Sequence, residues 1–204
     1  MRVVAVSKTK SADQILEAYN TGHKTFGENR VHELLAKKEH LPPDIEWHFI
    51  GHLQSNKVRH IIPFISIIES VDSFRLLKII NGEALRYGRI ADCLFQFYIA
   101  REETKSGFTI DEVRAMINSE EFNHLQNVRI CGVMGMATFT SNETKIRNEF
   151  RQLYNYFTEL KSSYFSGQPA FKEISMGMSG DFRIAVQEGS TIIRIGSIIF
   201  GERL

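Results

Sequence analysis

Short runs of β-branched and aromatic residues alternate along this chain with longer stretches whose apolar residues recur every three to four positions. The short runs fall at 3–6, 24–26, 46–50, 65–69, 93–100, 128–134, 171–175 and 191–195, and each has the length and composition of a strand. Helical periodicity covers 12–19, 29–38, 73–87, 110–118 and 143–161. Strand followed by helix points to a parallel sheet, because parallel neighbours need a crossover connection and a helix is the usual one. Eight strands without a break in composition favour closure into an α/β barrel of the (β/α)8 type. The rival is an open doubly wound sheet, which calls for a glycine-rich turn after the first strand; this chain has Ser7, Lys8 and Thr9 there. No repeat, low-complexity tract or linker interrupts the pattern, so residues 1–204 are expected to form one domain, with 162–169 as its most flexible loop.

Length agrees with that reading, since 204 residues suffice for one sizeable core and are too few for two catalytic domains. Lys and Arg (25) nearly balance Asp and Glu (24), for a formal net charge of +1. That balance gives no electrostatic reason to expect nucleic acid or an anionic membrane as partner. Cys93 and Cys131, the two cysteines, lie far apart inside apolar runs and suit buried thiols better than a disulfide framework or a metal site. No apolar stretch approaches the length of a spanning helix and no charged leader precedes the first apolar run, so a cytoplasmic protein is expected.

A barrel of this kind builds its site at the C-terminal ends of the strands, and phosphate groups often sit on the loops after the seventh and eighth. Those loops fall in SMGMSGD (175–181) and RIGSIIFG (194–201). Gly177, Gly180 and Gly196 allow backbone N–H groups close to an anion, and Ser179 and Ser197 add hydroxyl donors. Ordinary turns are the plainer alternative for each loop alone, but both stand where a phosphate is expected. Lys8 ends the first strand at the barrel mouth. Partial burial there would favour a neutral amine able to condense with an aldehyde such as pyridoxal 5′-phosphate (PLP); a solvated strand-end lysine is the alternative. Arg194 lies between Ile193 and Ile195, so alternation turns its side chain the opposite way. Facing a pyridine nitrogen, a guanidinium would keep that nitrogen unprotonated and weaken the cofactor as an electron sink. An ion pair with Glu173 or Glu202 is the alternative.

Other patterns fail on geometry. Ser7 to Lys10 spells S-x-x-K without its companion motifs, and Gly177 to Asp181 misses the last glycine of a nucleophile elbow and has no histidine downstream. His48 and His52 flank Gly51 on a strand-to-loop turn, so they do not share a helical face as metal ligands would, and His48 beside Trp47 reads as a satisfied buried histidine.

Taken together, AVSKTK (5–10), FGENRVHE (26–33), WHFIGHLQSNK (47–57), KSGF (105–108), CGVMGMAT (131–138), SMGMSGD and RIGSIIFGER (194–203) resemble the pyridoxal-phosphate homeostasis protein family, which includes the YggS and proline-synthase co-transcribed proteins. The resemblance implies a PLP fold type III barrel, similar to the N-terminal domain of alanine racemase, that binds PLP and helps control vitamin B6 and amino-acid pools. It implies Lys8 as the Schiff-base lysine, Ser179, Gly196 and Ser197 as phosphate ligands, Arg194 as partner of the pyridine nitrogen, and Asn29 and Met178 as pocket walls. It assigns no catalytic residue, and the spacing of the histidines and cysteines gives no metal site. A carrier that releases PLP to apo PLP-dependent enzymes is the preferred function, and with no long heptad or exposed apolar stripe demanding a dimer a monomer is expected. Two other functions fit the fold: an amino-acid racemase, which needs acid and base on opposite faces of the cofactor, and a non-catalytic protein-binding scaffold. Family members carry a helix ahead of the first strand, whereas Lys8 here follows only seven residues. Apolar surface that this helix would cover is therefore expected to be exposed.

Overall fold

The computed structural model describes residues 1–100 and 107–201; Lys105 and Ser106 of KSGF, and Glu202, lie outside the described residues. Eight parallel strands follow one another around a closed barrel in chain order: β1 (Arg2–Val6), β2 (Thr25–Glu28), β3 (Glu46–Phe49), β4 (Ile67–Val71), β5 (Ala91–Phe97), β6 (Val128–Gly135), β7 (Glu173–Met178) and β8 (Ile192–Ile195). The seam closes where β1 pairs with β8 in a register running from Arg2 opposite Ile192 to Ala5 opposite Ile195.

The helices outside are α1 (Ala12–Asn20), α2 (Val31–Lys38), α3 (Val58–Ile61), α4 (Phe74–Arg86), α5 (Ile110–Ile117), α6 (Glu120–Asn123), α7 (Glu143–Ser163), α8 (Phe182–Gln187) and α9 (Ser197–Phe200). Local chemistry sets several of their starts. Ser11 and Thr109 form reciprocal capping boxes with Gln14 and Glu112, each pair satisfying two N–H groups that the helix leaves without partners. The short helices α3, α6, α8 and α9 escape the periodicity because one turn is too brief to repeat an apolar position.

Several sequence expectations need correction, among them the fourth and fifth strands, which run over Ile67–Val71 and Ala91–Phe97 instead of 65–69 and 93–100. Residues 162–169 are not a loose loop: Phe165 is buried and stacks on Phe171 with ring centroids 4.3 Å apart, while Phe171 stacks on Phe157 at 5.2 Å. The seventh strand is also displaced from 171–175 to Glu173–Met178, because Phe171 is committed to that stack. Gly177 therefore belongs to β7 and not to an anion-binding loop. Its φ is +96°, and a Cβ there would stand 2.5 Å from the Cβ of Ala185, so this glycine lets α8 pack close against the strand.

Period-two alternation explains the interior. Val4, Ile67, Leu94, Cys131, Met134 and Ile192 form a buried cluster to which no helix contributes, which places it inside the barrel. Two residues further toward the C-terminal ends stand Val6, Glu69, Gln96, Met136 and Arg194 on the same inward face. The lower layer is a plug of apolar side chains, and the layer above turns polar. A larger apolar cluster fills the space between barrel and helices. Among the described residues no helix is long and apolar enough to cross a membrane.

Candidate functional site

Above the plug lies a cavity of about 930 Å³ at the C-terminal mouth of the barrel. Lys8, Asn29, Met178, Ser179, Arg194, Gly196 and Ser197 all line it, as do Lys10, His52, Gln96, Thr138 and Asp181. Residues from both ends of the chain meet here because β1 and β8 are neighbours at the seam.

Lys8 leaves β1 in a tight turn closed by the Lys10 N–H donating to the Ser7 carbonyl at 3.0 Å. Thr9, the third residue of that turn, has φ +66°, which a type II turn demands at this position. Beneath the turn, Glu28 is fully buried and accepts from Ser7 Oγ and from Lys37 Nζ, both at 2.7 Å. Burial pushes the Glu28 carboxyl up, with Lys37 and Ser7 opposing. Lys10 Nζ donates to the Phe200 carbonyl at 2.9 Å and ties the turn to the end of α9.

Asn29 is released from the helix that periodicity predicted over 29–38, since α2 begins at Val31. Its Oδ1 is buried and meets no hydrogen-bond donor among the described residues, so the cavity wall presents an acceptor suited to a ligand hydroxyl.

The two C-terminal loops are coupled: the Gly196 N–H donates to Ser179 Oγ at 3.2 Å. A Cβ at Gly180 would meet nothing within 4 Å, and one at Gly196 nothing nearer than 3.5 Å. Both backbones thus face open space where an anion could approach. Asp181 Oδ1 accepts the Met178 N–H at 2.6 Å. Burial pushes the Asp181 carboxyl up, and the Met178 amide and Arg194 partly oppose it.

Arg194 lies at the cavity floor, 4% exposed. Nη1 donates to Ser175 Oγ at 2.5 Å and Nη2 to the Gly135 carbonyl at 3.0 Å. Ser175 Oγ in turn donates to Glu69 Oε2 at 2.5 Å, and His48 Nδ1 lies 2.6 Å from Glu69 Oε1. Among the described residues the carboxylate paired with Arg194 is Glu69, at 3.8 Å. Glu173, the pairing considered from the sequence, instead accepts from Thr191 Oγ1 at 2.8 Å and stands 3.7 Å from Arg2. Burial alone would raise the Glu69 carboxyl, but His48, Arg194 and Ser175 outweigh it and hold it below the ordinary value. Burial pulls the Arg194 guanidinium down, against the charges of Glu69 and Asp181. His48, 1% exposed, supports this network from below, while His52 sits at the rim with Nδ1 2.9 Å from Asp72.

Sequence reasoning missed Glu69, Ser175, Glu28 and Lys37. The acids had a signal: Glu69 interrupts the largely apolar run FISIIESV (64–71) and Glu28 follows FG in a strand, and a carboxylate inside a buried strand requires partners. Nothing local announces Ser175 or Lys37. Cys93 and Cys131 are buried and outside the site; burial pushes the Cys93 thiol well up and Cys131 up to about 11.

Comparison with known proteins agrees with this geometry. The family profile described as alanine racemase, N-terminal domain, matches residues 1–204. The pyridoxal phosphate homeostasis protein of Aquifex aeolicus (strain VF5) is 38% identical over 203 residues, covering 99% of this chain and 87% of that protein. The Homo sapiens protein of the same name is 41% identical over 214 residues, covering 99% and 76%. Among solved structures, PipY of Synechococcus elongatus PCC7942 with PLP bound superposes with a TM-score of 0.89 at 36% identity, covering 98% of this chain and 92% of that one. With full-length similarity of this order on a closed eight-stranded barrel, the chain belongs to the pyridoxal phosphate homeostasis protein family, built on the alanine racemase N-terminal fold.

Proposed function

We propose that this protein binds PLP in the mouth of its barrel, attached through Lys8, and holds the cofactor as part of intracellular vitamin B6 homeostasis. The observation that carries the proposal is that one cavity gathers Lys8, the Ser179 and Gly196–Ser197 loops, and the Arg194 guanidinium. The names of the relatives and the PLP in PipY support it.

Bound PLP supplies an aldehyde that condenses with a primary amine, forming a C=N bond and releasing the aldehyde oxygen as water. Lys8 Nζ is the amine. Ser179 Oγ, Ser197 Oγ and the backbone around Gly196 are the groups for the phosphate, and Asn29 Oδ1 is the acceptor for a ring hydroxyl. Met178 offers an apolar wall. Arg194 can only donate, so a pyridine nitrogen set against it keeps its lone pair and the ring is a poor electron sink. Fixed on Ser175 and the Gly135 carbonyl, the guanidinium is kept in place for that role. A site of this kind retains the cofactor and does little chemistry with it. We place the protein in the cytoplasm as a monomer whose clients are apo PLP-dependent enzymes.

The purified chain, loaded with PLP, should show the visible absorbance of a Schiff base, and borohydride should fix the cofactor on Lys8. Lys8→Ala should abolish both. A wild-type protein that stays colourless with excess PLP, or a label on another lysine, rejects the proposal. α-Proton exchange of alanine in deuterated water should be slow; rapid exchange would favour a racemase.

A further inference from the structure

We infer that Glu33 and Lys37 of α2 form a clamp that presets the backbone on both sides of Lys8, so that its amine is aimed at the cavity before a cofactor arrives. This rests on Lys8 as the attachment point proposed above. Among the described residues, Thr9 is the only non-glycine with positive φ, at +66°. A β-branched residue resists that conformation, so surrounding structure must impose it. The Thr9 N–H donates to Glu33 Oε2 at 2.9 Å. On the other side of Lys8, the Ser7 carbonyl accepts from Lys37 Nζ at 2.9 Å. The two side chains stand one helical turn apart and meet, with Lys37 Nζ 3.3 Å from Glu33 Oε2, and Lys37 is anchored further by the buried Glu28 at 2.7 Å.

The peptide before Lys8 and the peptide after it are therefore gripped from one face of one helix. Neither Glu33 nor Lys37 lines the cavity, so both are positioning residues. Without Glu33, Thr9 is expected to relax toward negative φ and rotate the Lys8 peptide. Only a fraction of molecules would then present the amine correctly, and apparent affinity falls in proportion to that fraction.

The test titrates the full chain with PLP, reading Schiff-base absorbance, and follows thermal unfolding of the same variants without cofactor. Glu33→Ala should weaken attachment about tenfold, equivalent to roughly 1.4 kcal/mol, and Glu33→Gln, which keeps an acceptor, should lose less. Adding Thr9→Gly to Glu33→Ala should recover most of the loss, since glycine takes positive φ without strain. Should Glu33→Ala fold poorly, Glu33→Asp shortens the reach while keeping the charge and should show the same loss and the same rescue. Attachment unchanged in the Glu33 variants, or a loss that Thr9→Gly does not relieve, overturns the clamp while leaving the proposed function intact. Wild-type protein without Lys8-dependent absorbance overturns both.

Discussion

Arg194 shows how a single residue can serve a site and the fold together. Its guanidinium forms the cavity floor, yet the charge is tolerable in the interior only because Glu69, Ser175 and the Gly135 carbonyl compensate it from below. Glu69→Gln removes the carboxylate and leaves that cation without its partner, and we expect a loss of about 3 kcal/mol in urea unfolding at neutral pH. The pH dependence has a definite sign. A carboxyl held below its ordinary value in the folded protein contributes stability that is complete above its unfolded pKa and is lost as pH falls through the folded one. Wild-type stability should therefore decline on acidification, and Glu69→Gln should flatten that decline; identical slopes for the two proteins would contradict the network. The thiols make a second residue-level prediction. The thiolate is the reactive form, and burial disfavours it at Cys93 and Cys131. Both should react with a disulfide reagent only slowly in the native protein and rapidly in denaturant.

Among the elements, β7 departs from its sequence-based expectation at both ends, from 171–175 to Glu173–Met178, and the cause lies on its two flanks. Phe171 is drawn into the stack with Phe157 and Phe165, and the strand pairs onward to Met178, with a register shift against β8 between Ser175 and Met178. Gly177 stands in that irregular stretch and seats α8, so the loop left for an anion shortens to Ser179, Gly180 and Asp181. Gly177→Ala would combine positive φ with a contact of 2.5 Å to Ala185, and it should cost about 2–3 kcal/mol or more. A thermal midpoint within a degree of wild type would show that β7 and α8 can separate freely. Because α8 begins at the end of the Ser179–Asp181 loop, the same variant should also weaken PLP binding. The loop after β6 is anchored in a different way: the buried Glu149 of α7 accepts from both the N–H and Oγ1 of Thr138, at 2.7 and 2.8 Å.

At the scale of the whole molecule, the site straddles the barrel seam. Lys8 follows the first strand, while Gly196 and Ser197 follow the last, and the Lys10 contact with the Phe200 carbonyl joins the two sides directly. A ligand that spans them must stabilise closure of the barrel as a unit. At a PLP concentration one hundred times its dissociation constant the stabilisation should be about 2.7 kcal/mol, visible as a raised unfolding temperature in wild type and much reduced in Lys8→Ala. Protection from amide exchange should rise on β1 and β8 together; a gain on one side alone would mean that the ligand does not bridge the seam.

How much of this was legible beforehand follows from the range of the interactions involved. The order of the strands and of the longer helices, barrel closure and seven of the residues that line the cavity could be expected from the chain itself, because periodicity is a local property and Lys8, Ser179, Arg194 and their neighbours fall within recognisable stretches. The end of β7, the role of Gly177 and the anchored 162–169 segment could not, since each is settled by side-chain packing that hydrophobic periodicity does not register: an aromatic stack or the close face of a helix. The same holds for the groups beneath the site. Glu69 meets Ser175 across 106 positions and Lys37 reaches Ser7 across 30. A buried charge declares in sequence only that it needs compensation; which atoms supply it depends on how the strands and helices close around it.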